Sequence, residues 1–264
     1  MSIDLKQFAA VLLDLDGTVY HEEHALPGAL DLIQRLKRQG MPFACLTNST
    51  SSPERIAARL GRMGIEVRVE QVYTAAAAAA KYVLEHYAGE RLPRVFNLST
   101  EGVAEMLAGR VQWIDDEREP CDAVICGVPL NTFATPQRQR TAMLLLRKGA
   151  ALVAICADRA YPSVRGLEFG VGALAAMLSY ASGVTPIYCG KPQPSFFHEL
   201  CRRLGAAPQR CVLVGDNLES DIAGGKQVQM KTVLALGGVA TRQDAARLSP
   251  DQRPDWIINN LTEF

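Results

Sequence analysis

Strand-like apolar runs alternating with helix-like segments predict an α/β protein on a largely parallel sheet, with a second, smaller α/β unit inserted into the first. Three observations carry this. The apolar runs are short and continuous (residues 8–13, 41–46 and 211–215), as buried strands are. The segments between them carry helix-start signals, hydroxyl residues or Pro, and helix-stop glycines. The alternation then restarts and runs its own course, so residues 1–75 and 185–264 form one domain and residues 76–184 the inserted one.

The first strand, residues 8–13, runs into Asp14-Leu15-Asp16-Gly17-Thr18. Side chains alternate along a strand, so Asp14 and Asp16 share a face if the strand continues through both. Two acids at the end of a buried strand are costly to desolvate without a partner, and a cation is the obvious one. A solvated turn is the competing reading. Gly17, directly after the second Asp, excludes an EF-hand loop. His21-Glu22-Glu23-His24 reads as a solvated turn, because nothing fixes both histidines on one helical face. An amphipathic helix follows over residues 29–39 and is closed by Gly40.

Residues 41–46 form the next strand and enter Thr47-Asn48-Ser49-Thr50-Ser51-Ser52-Pro53. Small hydroxyl residues ahead of a proline cap a helix, here residues 56–63. The same loop offers N–H groups and hydroxyls to an anion. Thr74 caps a helix over residues 75–87 that opens with six alanines, a sequence suited to close packing rather than disorder. The inserted unit reads as strands 94–98, 123–128 and 151–156 with helices 101–108 and 136–147.

Gly170-Val171-Gly172-Ala173-Leu174-Ala175 imitates the dinucleotide fingerprint, but residues 163–168 before it read as loop, so it is taken to open a helix over 173–181. That helix leads the chain back to the first domain. There, residues 187–192 read as a short strand of the first sheet ending on Lys191, with Pro192 keeping the backbone extended. A helix over 195–204 precedes the buried strand 211–215, which ends in Asp216-Asn217-Leu218-Glu219-Ser220-Asp221. Strands 232–236 and 256–258 complete the domain.

Composition excludes several classes of function. Lys plus Arg equals Asp plus Glu, 28 each, and no basic stripe is present, which argues against nucleic acid and anionic membrane as partners. No apolar stretch approaches spanning length, and residues 1–7 lack the order of a signal peptide. The seven cysteines form no C-x-x-C, and most lie in apolar runs, so they are expected to be reduced core residues of a cytoplasmic protein. Cys121 and Cys126 have no second half-site to complete a metal centre.

Four apolar strands thus end in polar clusters: Asp14/Asp16, Thr47/Asn48, Lys191 and Asp216/Asp221. In an open parallel sheet, ligands bind at the carboxyl ends of the strands. If these strands are neighbours, one site gathers four carboxylates, an ammonium and an anion-friendly loop. Oxygen donors with few nitrogens or sulfurs favour Mg²⁺.

These motifs, Asp-x-Asp-Gly-Thr at 14–18, Thr-Asn at 47–48, Gly-Lys-Pro at 190–192 and Gly-Asp-x-x-x-Ser-Asp at 215–221, resemble those of the haloacid dehalogenase superfamily. The insertion resembles the α/β cap of its subfamily IIA, the NagD-like phosphatases. Ser220 stands where Thr is usual and Gln229 where Gly is usual. The resemblance implies a Rossmann-like parallel-sheet core with an inserted α/β cap and a Mg²⁺-dependent phosphatase. Its substrate would be a small phosphorylated metabolite, and a homodimer is implied.

By the same resemblance, Asp14 is the nucleophile and forms an aspartyl-phosphate. Asp16 protonates the leaving oxygen and later activates water. Mg²⁺ is held by the Asp14 carboxylate, the Asp16 main-chain carbonyl and Asp216. Lys191, Thr47 and Asn48 neutralise and orient phosphoryl oxygens. Asp221, with Asn217 beside it, holds Lys191 or a metal-bound water, unless Asp221 is simply a helix N-terminal acid. The loop 157–165, with Asp158, Arg159 and Tyr161, corresponds to the cap loop that faces the core site and reads the leaving group.

Other readings are weaker. A dehalogenase does not need the acid Asp16, and a phosphomutase would share the core. A non-catalytic phospholigand-binding protein would be favoured by loss of Asp14, Asp16 or Lys191, and none is lost.

Overall fold

The computed structural model describes residues 3–128, 132–163 and 166–264. The chain forms two compact units. The first comprises Met1–Thr47, Pro53–Tyr73 and Lys191–Phe264, and the second Asn48–Ser52 and Thr74–Gly190.

The first unit is built on a six-stranded sheet with the spatial order Trp256–Ile258, Lys231–Ala235, Cys211–Gly215, Ala10–Asp14, Phe43–Thr47, Val72–Thr74. The pairings among the first five of these are parallel. Strands Ala10–Asp14, Phe43–Thr47 and Cys211–Gly215 are buried along their whole lengths. Burial on both faces is why they read as unbroken apolar runs rather than alternating ones. Val11, Leu13, Cys45, Val212, Val214 and Val233 pack on one face with Leu32, Ile33 and Leu36 of helix Ala29–Arg38. Each fully buried aliphatic side chain contributes roughly 1.5–3 kcal/mol.

The register sets the site. Asp14 lies opposite Leu46, which puts Thr47 one step further toward the carboxyl end, while Leu13 lies opposite Val214. Thus Asp14, Thr47 and Asp216 leave three adjacent parallel strands at the same end. This is the crevice end of such a sheet.

The second unit carries a five-stranded parallel sheet in the order Ile187–Tyr188, Ala151–Ala154, Ala123–Cys126, Arg94–Leu98, Gln112–Trp113. Helix Ala75–Tyr87 is capped by Thr74 Oγ1, which accepts from the Ala77 N–H at 3.1 Å. Ala75, Ala76, Ala78, Ala79 and Ala80 are buried, the close packing that six alanines permit.

Three expectations are corrected. First, the strand expected over 187–192 is Ile187–Tyr188 and pairs with Ala151–Ala154 in the second unit's sheet, not in the first. Two residues carry no pattern that assigns a strand to a sheet, and their pairing is what decides it. Lys191 therefore enters the first unit from a loop, not from a strand of its sheet.

Second, residues 163–168, read as loop, contribute to an antiparallel hairpin of Ala160–Ser163 and Gly166–Phe169. Leu167 and Phe169 are 80% and 66% exposed, so the hairpin rests on its ladder rather than on burial and leaves no periodic trace. Val164 and Arg165 of that expected loop lie outside the described residues.

Third, a strand does precede Gly170-Val171-Gly172, but it belongs to this hairpin and not to a βαβ unit. A Cβ on Gly170 or Gly172 would lie 2.1 Å from the Asp158 carbonyl oxygen or 2.4 Å from that of Ala157. The glycines let helix Val171–Ser182 start against that backbone.

The cysteines are all free thiols, and all but Cys121 are buried. His21 and His24 are exposed and face each other across the hairpin Tyr20–His21/His24–Ala25.

Candidate active site

Strand Ala10–Asp14 ends on Asp14, and the chain then turns sharply. The N–H groups of Thr18, Val19 and Tyr20 all donate to the Leu15 carbonyl, at 3.2, 2.8 and 3.1 Å. The strand does not continue through Asp16, so the two acids do not share a strand face. Asp16 meets only Tyr20 in an isolated bridge. Gly17 takes φ +81°, and a Cβ there would sit 2.5 Å from Asp216 Oδ2. Gly238 makes the same close approach, with a Cβ at 2.0 Å from that oxygen.

Asp14, Lys191, Asp216 and Asp221 come together in the first unit, all buried. Lys191 Nζ donates to Asp14 Oδ1 at 2.5 Å and to Asp221 Oδ1 at 2.7 Å. Thr18 Oγ1 donates to Asp14 Oδ2 at 3.2 Å. Asp221 Oδ2 accepts from the Asn217 backbone N–H at 3.2 Å, and Asp216 Oδ2 from that of Val239 at 2.7 Å. Asp221 thus pairs with Lys191, and it also lies in the first turn of the segment Leu218–Ile222. The Asn217 side chain is committed elsewhere: its Oδ1 caps the turn Leu218–Ile222, accepting from Glu219 and Ser220 N–H at 2.8 and 3.1 Å.

Burial dominates the electrostatics. It pushes Asp14 up to about 7, with the Lys191 ammonium opposing and Asp216 adding to the rise. Asp221 is likewise pushed up to about 7, by burial and then by Asp14, against Lys191. Asp216 rises to about 6 through burial and the nearby Asp221 charge. Burial alone would lower Lys191, but its two carboxylate partners outweigh this, and it stays protonated.

With all three carboxyl groups ionised, the one ammonium leaves two negative charges uncompensated, and this mutual repulsion adds to the rise in their pKa values. One carboxylate oxygen each from Asp14, Asp216 and Asp221 lie within 4.8 Å of one another, an all-oxygen donor set. Charge deficit, donor chemistry and spacing all fit a hard divalent cation.

Asp16 keeps a solvent-facing side, while its Oδ2 accepts from the buried Tyr20 hydroxyl at 2.9 Å. Desolvation of the carboxylate raises its pKa, against Tyr20 and Arg59. Thr47 is buried at its strand end.

Asn48 and Asp158 meet in the second unit. Asn48 Nδ2 donates to Asp158 Oδ1 and Oδ2 at 3.0 and 3.1 Å, and the Cys156 thiol donates to Oδ2 at 3.3 Å. Arg159 is exposed, and among the described residues only its backbone is tied, its carbonyl accepting from the Gly170 N–H at 2.9 Å.

Sequence reasoning missed Thr18, Tyr20 and the Gly237-Gly238-Val239 turn. Thr18 lies within the quoted motif and could have been found as a hydroxyl four residues after the acid it serves. The paired glycines were the signal for the turn.

The chain matches two family models, "Haloacid dehalogenase-like hydrolase" over residues 11–110 and "HAD-hydrolase-like" over residues 188–264. It is 31% identical to the acid sugar phosphatase of Staphylococcus saprophyticus, over 98% of this chain and 97% of that protein. It is 29% identical to the 5'-nucleotidase YutF of Bacillus subtilis, over 98% of each. Among solved structures it resembles the glycerol phosphate phosphatase Rv1692 of Mycobacterium tuberculosis in complex with magnesium, with TM-score 0.87 and 30% identity, covering 100% of this chain and 78% of that one. It also resembles NagD from Escherichia coli K-12, with TM-score 0.85 and 28% identity, covering 97% and 98%. With whole-length similarity joined to the Asp14, Lys191, Asp216 and Asp221 geometry, the chain belongs to the haloacid dehalogenase-like hydrolases, in the phosphatase subfamily IIA.

Proposed function

We propose that this phosphatase hydrolyses a small phosphate monoester, such as a sugar phosphate or a nucleotide, with Mg²⁺ and through an aspartyl-phosphate. The observation that carries this reading is the buried Lys191 shared by Asp14 and Asp221 beside Asp216. The names of the relatives, acid sugar phosphatase, 5'-nucleotidase and glycerol phosphate phosphatase, support the substrate class.

Asp14, oriented by Lys191 and Thr18, attacks phosphorus as the ester P–O bond breaks. Asp16 gives its proton to the departing oxygen, becomes a carboxylate, and takes a proton from the water that hydrolyses the phosphoenzyme. Lys191, with Thr47 and Asn48, compensates charge on the phosphoryl oxygens. Mg²⁺, held by Asp14, the Asp16 carbonyl and Asp216, would neutralise the acid cluster and the substrate's phosphate charge. Asp221 holds Lys191 in place, and the Asn217 backbone holds Asp221. Asp158 and Arg159 of the second unit recognise the alcohol portion of the substrate. The enzyme works in the cytoplasm as a homodimer.

Phosphate release from a panel of phosphorylated metabolites, with Mg²⁺ and after exhaustive chelation, tests this reading. Full activity without a divalent cation would reject the metal assignment, and release from no monoester would reject the phosphatase.

A further inference from the structure

Tyr20 is fully buried, yet its hydroxyl reaches out of the core to Asp16 Oδ2 at 2.9 Å. A buried phenol needs a partner, and this one has taken the acid assigned above to the leaving group. The attachment is doubled along the backbone, since the Gly17 N–H donates to the Tyr20 carbonyl at 2.8 Å. Above the ring lies Arg59, its guanidinium carbon 4.6 Å from the centroid. Arg59 is itself anchored to the Glu22 carbonyl at 2.7 Å and to Glu23 Oε1 at 3.3 Å. Asp16 Oδ1 has no hydrogen-bond partner among the described residues.

We propose that Tyr20, braced by Arg59, is a positioning residue that locks the Asp16 carboxyl so that Oδ1 is the oxygen that delivers the proton. This rests on Asp16 being the general acid. A phenol donating to Oδ2 occupies that oxygen as an acceptor and leaves the acid proton to Oδ1. It also removes carboxyl rotation at the moment of transfer, and orientation of this kind governs rate strongly. In the step itself the ester P–O bond breaks, the leaving oxygen takes the proton from Oδ1, and Asp16 remains as a carboxylate still bonded to the phenol. Water then attacks phosphorus, the P–O bond to Asp14 breaks to free phosphate and regenerate the carboxylate, and a proton of that water returns to Oδ1.

The test is a series of aryl phosphates, from p-nitrophenyl phosphate to p-methoxyphenyl phosphate, assayed with Mg²⁺ on wild type, Tyr20→Phe, Asp16→Ala and the double variant. Tyr20→Phe should lower kcat on the order of 10-fold for the poorest leaving group and little for p-nitrophenyl phosphate, with KM steady. That is a fraction of the ~10²–10⁴-fold carried by the acid itself. In the Asp16→Ala background the same change should add nothing. Arg59→Gln, at a partly exposed position, should reproduce the leaving-group pattern more weakly, and it serves if Tyr20→Phe does not fold. A Tyr20→Phe loss that is absent, uniform across the series or undiminished without Asp16 overturns the proposal while sparing the acid. A uniform loss in Asp16→Ala overturns the acid assignment and this inference with it.

Discussion

The two units treat their polar groups in opposite ways. In the first, Asp14, Lys191, Asp216 and Asp221 are buried, and Lys191 bridges Asp14 and Asp221. In the second, Asp158 is half-buried and held by the neutral Asn48 and Cys156, while Arg159 is exposed. A buried, charge-unbalanced cluster is expensive and is kept only where its chemistry is needed. Half-exposed polar groups cost little and can differ between substrates without endangering the fold. On the proposed function, the difference separates a cluster that handles the phosphoryl group, which every monoester shares, from residues that meet the part of the substrate that varies.

The sharpest way to break this contrast is Asp14→Asn. Turnover should fall on the order of 10⁴–10⁶-fold, the scale of losing a nucleophile, with circular dichroism unchanged. Substantial residual activity, once deamidation is excluded by mass spectrometry, would reject Asp14 as the nucleophile.

Lys191→Met should cost about 3–5 kcal/mol of stability by denaturant unfolding, because it strands buried carboxylates. Arg159→Ala should stay within about 0.5 kcal/mol. Equal effects would erase the distinction between the units.

Gly238→Ala should lower activity about 10-fold or more, since its methyl carbon would stand 2.0 Å from Asp216 Oδ2. Added Mg²⁺ should recover part of the loss if Asp216 is a ligand.

Asp158→Ala and Arg159→Ala should reorder kcat/KM among natural esters by roughly 10-fold while barely affecting p-nitrophenyl phosphate. A uniform change across substrates would assign these residues to stability instead.

A small effect is also expected at Asp255, a control for an ion cluster without catalytic duty. Burial tends to raise its pKa, but Lys226, Lys231 and the Thr232 N–H outweigh it and hold the carboxyl down to about 2. A depressed carboxylate contributes stability above its unfolded value, near 4, and loses it as pH falls toward 2. Asp255→Asn should therefore cost about 1 kcal/mol at neutral pH, a deficit that closes as the pH is lowered through that window. A deficit independent of pH would point to packing.

Much of this was legible in the sequence because buried parallel strands are unbroken apolar runs and their carboxyl ends are polar. Asp14, Thr47 and Asp216 were placed by that rule alone. Lys191 was found, and in the first unit, but the strand ahead of it was assigned to the wrong sheet, since Ile187–Tyr188 is too short to declare its neighbour. The exposed hairpin Ala160–Ser163/Gly166–Phe169 left no burial pattern to read. Asn217 and Tyr20 show a further limit. Which hydrogen bond a polar side chain makes depends on rotamer and turn geometry, and neither is written in residue type.

The chain passes between its units at four peptide bonds: Thr47–Asn48, Ser52–Pro53, Tyr73–Thr74 and Gly190–Lys191. Every residue of the buried charge cluster falls on the first unit's side of these crossings, Lys191 by a single peptide bond. The second unit is therefore separable in sequence from the charge cluster. Replacing Thr74–Gly190 by the equivalent segment of a relative would transplant Asp158 and Arg159 while leaving the charge cluster intact. The transplant would need one companion piece, Asn48–Ser52, because Asn48 is the partner Asp158 takes with it.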